Sequence, residues 1–195
     1  QYEGLGKYLF AAVDGCYESI LGLPLLSILN YLQDIKAVTL ALPPMTHHLV
    51  ARPVGDDMAI NYARLCSPYV VALALRNGEI RIADFGPGAL RDPEVLALAH
   101  RVTVEKANNP DPNALTPVTV SIALKDGANV SATCEFVLGN PQNPLDREAH
   151  LAKFRQNCAS ARPVVSESQA EALISRTDDL ENECDVATLV DLMIT

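Results

Sequence analysis

The sequence predicts an α+β domain with a small, antiparallel-rich sheet and helices on one side of it. Apolar residues make up 49% of the 195 residues, and the thirteen prolines are spread along the chain, as in a globular protein. Alternating apolar residues, typical of strands, occur in the middle of the chain, and helical spacing occurs at both ends. This order indicates an α+β arrangement, not the repeating βαβ pattern of a doubly wound sheet.

The first 33 residues contain a predicted buried helix. The apolar stretch "SILGLPLLSILNYL", residues 19 to 32, is too short to span a bilayer and contains Pro24. It follows Asp14 and Glu18 instead of a basic region, which argues against a secretory signal. Because the sequence opens without an initiator methionine or a targeting segment, we expect a fragment or a processed piece.

A strand and a loop are predicted next. Apolar residues alternate in "DIKAVTLALPP", residues 34 to 44, and the two prolines end the strand. The Pro, Gly and acidic content of "MTHHLVARPVGDDM", residues 45 to 58, is typical of a loop.

The following helix is predicted to start at Pro68, with Ser67 as its N-cap, and to stop at Gly78. Farther along, the pattern predicts a short helix and a strand, then a hairpin that turns at Lys125-Asp126-Gly127, then three helices. These segments are "RDPEVLALAHRV" (91 to 102), "RVTVEKA" (101 to 107), the hairpin (116 to 139), and the helical stretches 144 to 158, 167 to 176 and 185 to 194.

A polar cluster surrounds the predicted helix start. Arg64, Cys66, Ser67 and Tyr69 lie where unpaired N–H groups and the helix dipole attract anions, so a carboxylate would suit this position. The alternative is structural: Arg64 pairs with a nearby acid, Tyr62 and Tyr69 pack with their hydroxyls in water, and Cys66 is a small core residue.

Charge and cysteine content exclude several classes of function. The net charge is -9 and the fifteen Lys and Arg residues are scattered singly, which argues against nucleic-acid binding. Five cysteines without a Cys-x-x-Cys pair suggest neither a zinc site nor a disulfide framework, so a cytoplasmic location is expected. His47-His48 is too sparse for a metal site, although one of the two could act as an acid or base. With no phosphate-binding glycine loop, we expect no metal and no cofactor.

Three stretches together resemble the MmgE/PrpD family. "ARLCSPYVVALALRNG" is similar to its Ala-Lys-Phe-Ser-x-Pro-Tyr segment, and "HHLVARP" is similar to its Leu-Val-Gly-Arg-Pro loop. "LGNPQNPLDREAHLAKFR" resembles its Gly-x-Pro-x-Asn-Pro-Leu segment with the Lys-Phe-Arg close. The resemblance covers residues 34 to 195 in the same order.

The resemblance implies the C-terminal part of a metal-independent, dimeric lyase or isomerase that acts on small di- or tricarboxylic acids. The family's chemistry is proton abstraction next to a carboxylate, followed by dehydration, decarboxylation or epimerisation. Residues 1 to 33 would then belong to a larger helical domain, residues 34 to 140 would form the α+β domain, and residues 141 to 195 would return to the helical domain.

Site residues follow from the same resemblance. The substrate carboxylate is expected near Arg64, Cys66 and Ser67, with His48 and Arg52 from the preceding loop. Catalytic roles are expected for Tyr69, Lys7 and Tyr17.

One departure from the family pattern affects the expected reaction. In "GKYLFAAVDGCYES", Lys7 can be matched, but Ala11 and Ala12 stand where the family carries a polar pair with its histidine. This favours an epimerase, with Tyr17 or Lys7 as acid and base, over a dehydratase. The alternative from another class is a non-catalytic substrate-binding or dimerisation module.

Overall fold

A computed structural model describes residues 34 to 193 of the chain. The chain divides into two compact units, Gln1–Pro144 and Leu145–Thr195. The predicted helix at residues 19 to 32, and the candidate residues Lys7 and Tyr17, lie outside the described residues.

The first unit contains a mixed four-stranded sheet. Its strands are β1 (Ile35–Leu42), β2 (Val102–Lys106), β3 (Val118–Leu124) and β4 (Asn129–Cys134), in the order β2-β1-β3-β4. β1 pairs with β2 in parallel, and the other two pairings are antiparallel. The predicted α+β class and antiparallel-rich sheet are therefore confirmed.

One face of the sheet forms the core of this unit. In β3 every second residue is buried, from Val118 to Leu124, and the residues between them are partly exposed. β1 buries Val38, Leu40 and Leu42 in the same way. The alternation of apolar and polar residues in the sequence therefore corresponds to a sheet with one apolar face.

In the described part of the first unit, four helices accompany the sheet: α1 (Pro44–Val50), α2 (Ile60–Ala63), α3 (Ser67–Asn77) and α4 (Pro93–Ala99). α3 is the buried one, with nine consecutive buried residues, and it packs against α4 and β2. The single-turn 3-10 helices Ile82–Phe85 and Ala89–Arg91 lie between α3 and α4.

Two sequence predictions for these helices need correction. The segment from residue 45 was predicted to be a loop, but Pro44 begins helix α1. α1 buries none of its residues, so no apolar spacing marked it. α3 begins at Ser67, one residue before the predicted Pro68, and its N-cap is Cys66. Its predicted end is confirmed, because Gly78 has the left-handed conformation at φ 75°.

The hairpin was also predicted correctly. β3 and β4 pair antiparallel around the Lys125-Asp126-Gly127 turn. Gly127 has a φ of 90°, which L side chains rarely adopt and which favours glycine there.

The described part of the second unit is helical, with α5 (Arg147–Ser160), α6 (Glu167–Asp178) and α7 (Ala187–Asp191). α5 and α6 pack together and are joined by the ion pairs Arg147–Asp178 and Arg155–Glu171. Helices were predicted at all three places, but the last is only five residues long. In the part of the chain with described structure, no helix has both the length and the apolar character needed to cross a membrane.

Candidate functional site

The predicted polar cluster lies on α2, on the first turn of α3 and on the residues between them, next to the C-terminus of α1 and residues 51 to 53, which follow α1. An isolated antiparallel bridge joins Ala51 to Cys66. Three side chains donate hydrogen bonds to carbonyl oxygens of Val50, at the end of α1, and of the residues that follow it: Tyr62 to Pro53 (2.9 Å), Cys66 to Arg52 (3.3 Å) and Ser67 to Val50 (2.9 Å). The cluster therefore fixes the chain that follows α1.

Ser67 does not act as the predicted N-cap. Its side chain is 8% exposed, and its hydroxyl donates to the carbonyl of Val50 instead of accepting from the first turn of α3. Its proton is thus used within the fold, although the hydroxyl oxygen can still accept a hydrogen bond.

Burial raises the pKa of the Cys66 thiol, while the backbone N–H of Tyr69 and the positive charge of Arg52 act in the opposite direction. The side chain is 0% exposed. Cys66 is therefore a neutral, buried thiol at neutral pH, as in the structural alternative, and its contacts do not favour a reactive role.

Tyr69 is fully buried. Its hydroxyl shares one proton between the carbonyl oxygens of Asp84 (3.0 Å) and Ala89 (3.1 Å). Burial, together with the negative charges of Asp84 and Asp92 and the nearby Cys66, raises the pKa of Tyr69 to about 12. These contacts anchor the Asp84–Ala89 segment to α3. The catalytic role of Tyr69 stays a prediction.

Two arginines carry the positive charge of the cluster. The Arg52 guanidinium carbon lies 5.3 Å from the centre of the Tyr62 ring, and that of Arg64 lies 5.7 Å from the centre of the Phe85 ring. Within residues 34 to 193, neither guanidinium forms an ion pair with a carboxylate. A ring contact covers a face of a guanidinium, while the N–H donors that bind a carboxylate lie along its edge.

His48 lies in the last turn of α1 and its side chain is exposed; His47 is partly buried. Across the described residues, no three His, Cys, Asp or Glu side chains come close enough together to hold a metal ion. The structure therefore brings Arg52 together with Tyr62 and Cys66, and it places Arg64 over Phe85, next to Tyr69. His48 lies on α1, which leads into residues 51 to 53.

Sequence reasoning missed Phe85, which lies beneath Arg64. Its ring centre is 6.2 Å from that of Tyr69, so the two rings pack at a tilt. The available signal was a lone aromatic residue directly before the glycine-rich turn "GPG" at residues 86 to 88.

Comparison with known proteins identifies relatives of the chain. The family model "MmgE/PrpD C-terminal domain" matches residues 10 to 182. Cis-aconitate decarboxylase of Mus musculus is 29% identical over 157 residues, which cover 79% of this chain and 31% of that protein. The Homo sapiens protein of the same name is 29% identical over 161 residues, covering 82% and 32%.

A third match is short. Nucleoside triphosphate pyrophosphatase of Legionella pneumophila (strain Corby) is 55% identical over 38 residues, which are 20% of this chain and 19% of that protein. The chain spans about a third of the length of the cis-aconitate decarboxylases that it matches. Since the family model covers most of the sequence, the chain belongs to the MmgE/PrpD family, in which it matches the C-terminal domain.

Proposed function

We propose that the chain is the C-terminal part of a lyase that acts on small di- or tricarboxylic acids. The family and the two relatives named as cis-aconitate decarboxylases support this proposal. They make cis-aconitate the first substrate to test, and decarboxylation the first reaction.

The observation that carries the proposal is that Arg52 and Arg64, which the sequence places in the candidate site, have no carboxylate partner within residues 34 to 193. In a chain with a net charge of -9, most other described arginines are ion-paired. Those arginines are Arg76, Arg81, Arg91, Arg147, Arg155 and Arg176. A substrate carboxylate would supply the partner that the described fold leaves out, through the charge-assisted hydrogen bonds that guanidinium groups form with carboxylates.

The proposed chemistry builds up negative charge next to a carboxylate. Decarboxylation breaks the bond between carbon and the departing carboxylate, and the electron pair stays on the remaining carbon until a proton arrives. A guanidinium that holds a neighbouring carboxylate stabilises this charge. We assign that binding role to Arg52 and Arg64, with His48, Ser67 and Cys66 as predicted neighbours, and we propose that no metal is needed.

Proton transfer is proposed to depend chiefly on groups outside the cluster, with Tyr69 as the proposed catalytic residue within it. The side chains of Tyr62, Cys66, Ser67 and Tyr69 all donate to backbone carbonyls, and burial keeps the Tyr69 phenol neutral. Lys7 and Tyr17 remain the proposed acid and base. The relatives' names do not support the earlier preference for epimerisation, so epimerisation becomes an outcome to be tested.

A second candidate is a non-catalytic substrate-binding or dimerisation module. This candidate is favoured because the hydroxyls and the thiol of the cluster donate their protons to backbone carbonyls. The cluster then has arginines that could bind a substrate but no evident general base. In either case we propose a cytoplasmic location, because the described cysteines are all unpaired thiols.

The binding step can be tested by titrating the 195-residue chain with cis-aconitate, followed by NMR. We expect Arg52→Ala and Arg64→Ala each to weaken binding by about tenfold, because each removes a charged hydrogen-bond donor. Arg91→Ala is the matched control, since Arg91 is an exposed arginine that pairs with Asp57. Equal affinity in all four proteins, or no binding by the original chain, would refute the proposed site.

The reaction can be followed in deuterated water. Release of carbon dioxide by the purified chain would establish the lyase and exclude the module. Deuterium incorporation next to a carboxylate, without loss of carbon dioxide, would favour epimerisation. Binding with neither reaction would favour the module.

A further inference from the structure

Tyr62 makes two separate contacts with the short stretch that carries Arg52. Its hydroxyl donates to the carbonyl of Pro53 (2.9 Å), and its ring centre lies 5.3 Å from the guanidinium carbon of Arg52. The side chain of Tyr62 is partly buried and packs against the apolar core of the first unit. A ring that is held both at the core and at its hydroxyl loses rotamer freedom, so it presents a fixed surface to Arg52.

The backbone around Arg52 is held as well. The thiol of Cys66 donates to the carbonyl of Arg52 (3.3 Å), and an isolated bridge pairs Cys66 with Ala51, one residue earlier. Tyr62 holds the next carbonyl, that of Pro53, whose ring also fixes its own φ. The part of Arg52 that keeps conformational freedom is therefore its long side chain, and the ring of Tyr62 contacts the end of that side chain.

The ring contact uses a different part of the guanidinium from the part that a carboxylate needs. An aromatic ring attracts the face of the cation at distances up to about 6 Å, whereas the N–H donors lie along the edge. Arg52 is partly exposed, and no carboxylate within residues 34 to 193 forms an ion pair with it. A guanidinium that is oriented in advance loses less conformational entropy when it binds a carboxylate.

We infer that Tyr62 is a positioning residue for Arg52. Its hydroxyl fixes the backbone beside Arg52, and its ring holds the guanidinium with the N–H edge open to a substrate carboxylate. This inference rests on the proposed function, because it deepens the binding role assigned to Arg52. Tyr62 acts on the substrate only through Arg52, so its effect on binding requires that arginine.

The orientation of Arg52 can be measured without substrate, by NMR of its side-chain protons in the 195-residue chain. Protons over the face of an aromatic ring are shifted upfield, and Arg52→Ala identifies the signals of Arg52. We expect these signals upfield of those of Arg91, an exposed arginine paired with Asp57. The shift should persist in Tyr62→Phe and be lost in Tyr62→Leu. Unshifted Arg52 signals in the original chain, or a shift that survives Tyr62→Leu, would overturn the inference.

The affinity for cis-aconitate, titrated by NMR, tests whether Tyr62 acts through Arg52. A cation–π contact at an exposed site corresponds to about two- to fivefold in an equilibrium constant, and we expect the dissociation constant to rise by that factor in Tyr62→Leu. Tyr62→Phe, which keeps the ring, should keep most of the affinity. In the Arg52→Ala background, Tyr62→Leu should cause no further loss, because the two residues act as one unit. Equal losses in the two backgrounds would show a general structural effect and overturn the inference.

Phe136→Leu is the matched control, since it removes an exposed aromatic ring from another part of the first unit. It should change neither the Arg52 signals nor the affinity. Circular dichroism confirms that each variant is folded.

The two experiments separate this inference from the proposed function. If the original chain shows the upfield shift but does not bind cis-aconitate, the proposed function fails, while the orientation of Arg52 by Tyr62 is supported. If Arg52→Ala weakens binding and Tyr62→Leu does not, the proposed function stands and the positioning role of Tyr62 is overturned.

Discussion

At the scale of single residues, the hydroxyl of Tyr69 connects α3 to the two 3-10 turns that follow it. One buried proton serves two carbonyl oxygens, so removal of the hydroxyl takes this donor from the Asp84 carbonyl, while the Ala89 carbonyl still accepts from the N–H of Asp92. An unsatisfied buried acceptor costs more than the hydrogen bond contributes.

We expect Tyr69→Phe to lower the free energy of unfolding by about 1 to 3 kcal/mol, measured by urea denaturation. Tyr62→Phe is the control, because Tyr62 is only partly buried and donates to one carbonyl, of Pro53. A loss no larger in Tyr69→Phe than in Tyr62→Phe would contradict the anchoring role. Unchanged turnover by a folded, active Tyr69→Phe protein would refute the predicted catalytic role.

The raised pKa of Tyr69 also determines the alkaline pH range in which its contribution to the free energy of unfolding is lost. The folded state favours the neutral phenol, so its stabilisation is fully present below the unfolded pKa of about 10. It is lost as the pH rises toward the folded pKa of about 12. Tyr69→Phe should therefore flatten the decrease in stability over this range.

At the scale of elements, Asp92 links the end of α3 to the start of α4. Its carboxylate caps α4 by accepting from the N–H of Glu94 (2.9 Å) and Val95 (3.4 Å). It also forms an ion pair with Arg76 in the last turn of α3. The Arg76 hydrogen bond is the main cause that lowers the pKa of Asp92, against the effect of burial.

Two substitutions separate these roles. Asp92→Asn keeps a capping acceptor but removes the charge, and we expect it to cost about 0.5 to 1 kcal/mol of unfolding free energy, because the pair is partly exposed. Asp92→Ala also removes the cap and should cost about 1 kcal/mol more. Chemical denaturation at neutral pH measures both. Equal losses would show that the cap contributes nothing.

The carboxylate of Asp92 also makes the free energy of unfolding depend on pH in the acid range. Because the folded pKa lies below the unfolded value of about 3.9, the stabilisation is present above that value and is lost as the pH falls through the folded pKa. Asp92→Asn should reduce the loss of stability in this range. Glu94→Gln, at the more exposed partner of Arg76, should change it less.

At the scale of the whole molecule, the two compact units differ in how much core they contain. The sheet and α3 supply the large buried cluster of the first unit. Among the described residues of the second unit, only Cys158, Ala170 and Leu173 are buried apolar side chains. A segment of this length with so small a core is marginal by itself.

We therefore expect the piece 1 to 144 to unfold cooperatively, and the piece 145 to 195 to lack stable helical structure when separated. Circular dichroism with thermal unfolding of both pieces measures this. If the piece 145 to 195 folded cooperatively, the exposed ion pairs Arg147–Asp178 and Arg155–Glu171 would stabilise it more than exposed ion pairs usually do.

Much of the fold was predictable because its signals are local. Alternation marked β1, β3 and β4, and glycine marked the end of α3 and the hairpin turn, since Gly78 and Gly127 have positive φ. α1 was missed because a short helix with no buried residue has no apolar spacing to reveal it. The sequence identified residues 62 to 69 as a polar cluster. It did not identify the backbone carbonyl oxygens to which the hydroxyls of this cluster donate.

The sequence by itself determined the α+β class, the one-sided sheet and the position of the polar cluster, because periodicity and turn residues act over a few neighbours. Only the tertiary structure decided that β2 runs parallel to β1, and that Ser67 and Tyr69 donate to the carbonyls of Val50 and Asp84. It also left Arg52 and Arg64 without carboxylate partners in the described chain. These outcomes depend on contacts between residues far apart in sequence, which no local pattern encodes.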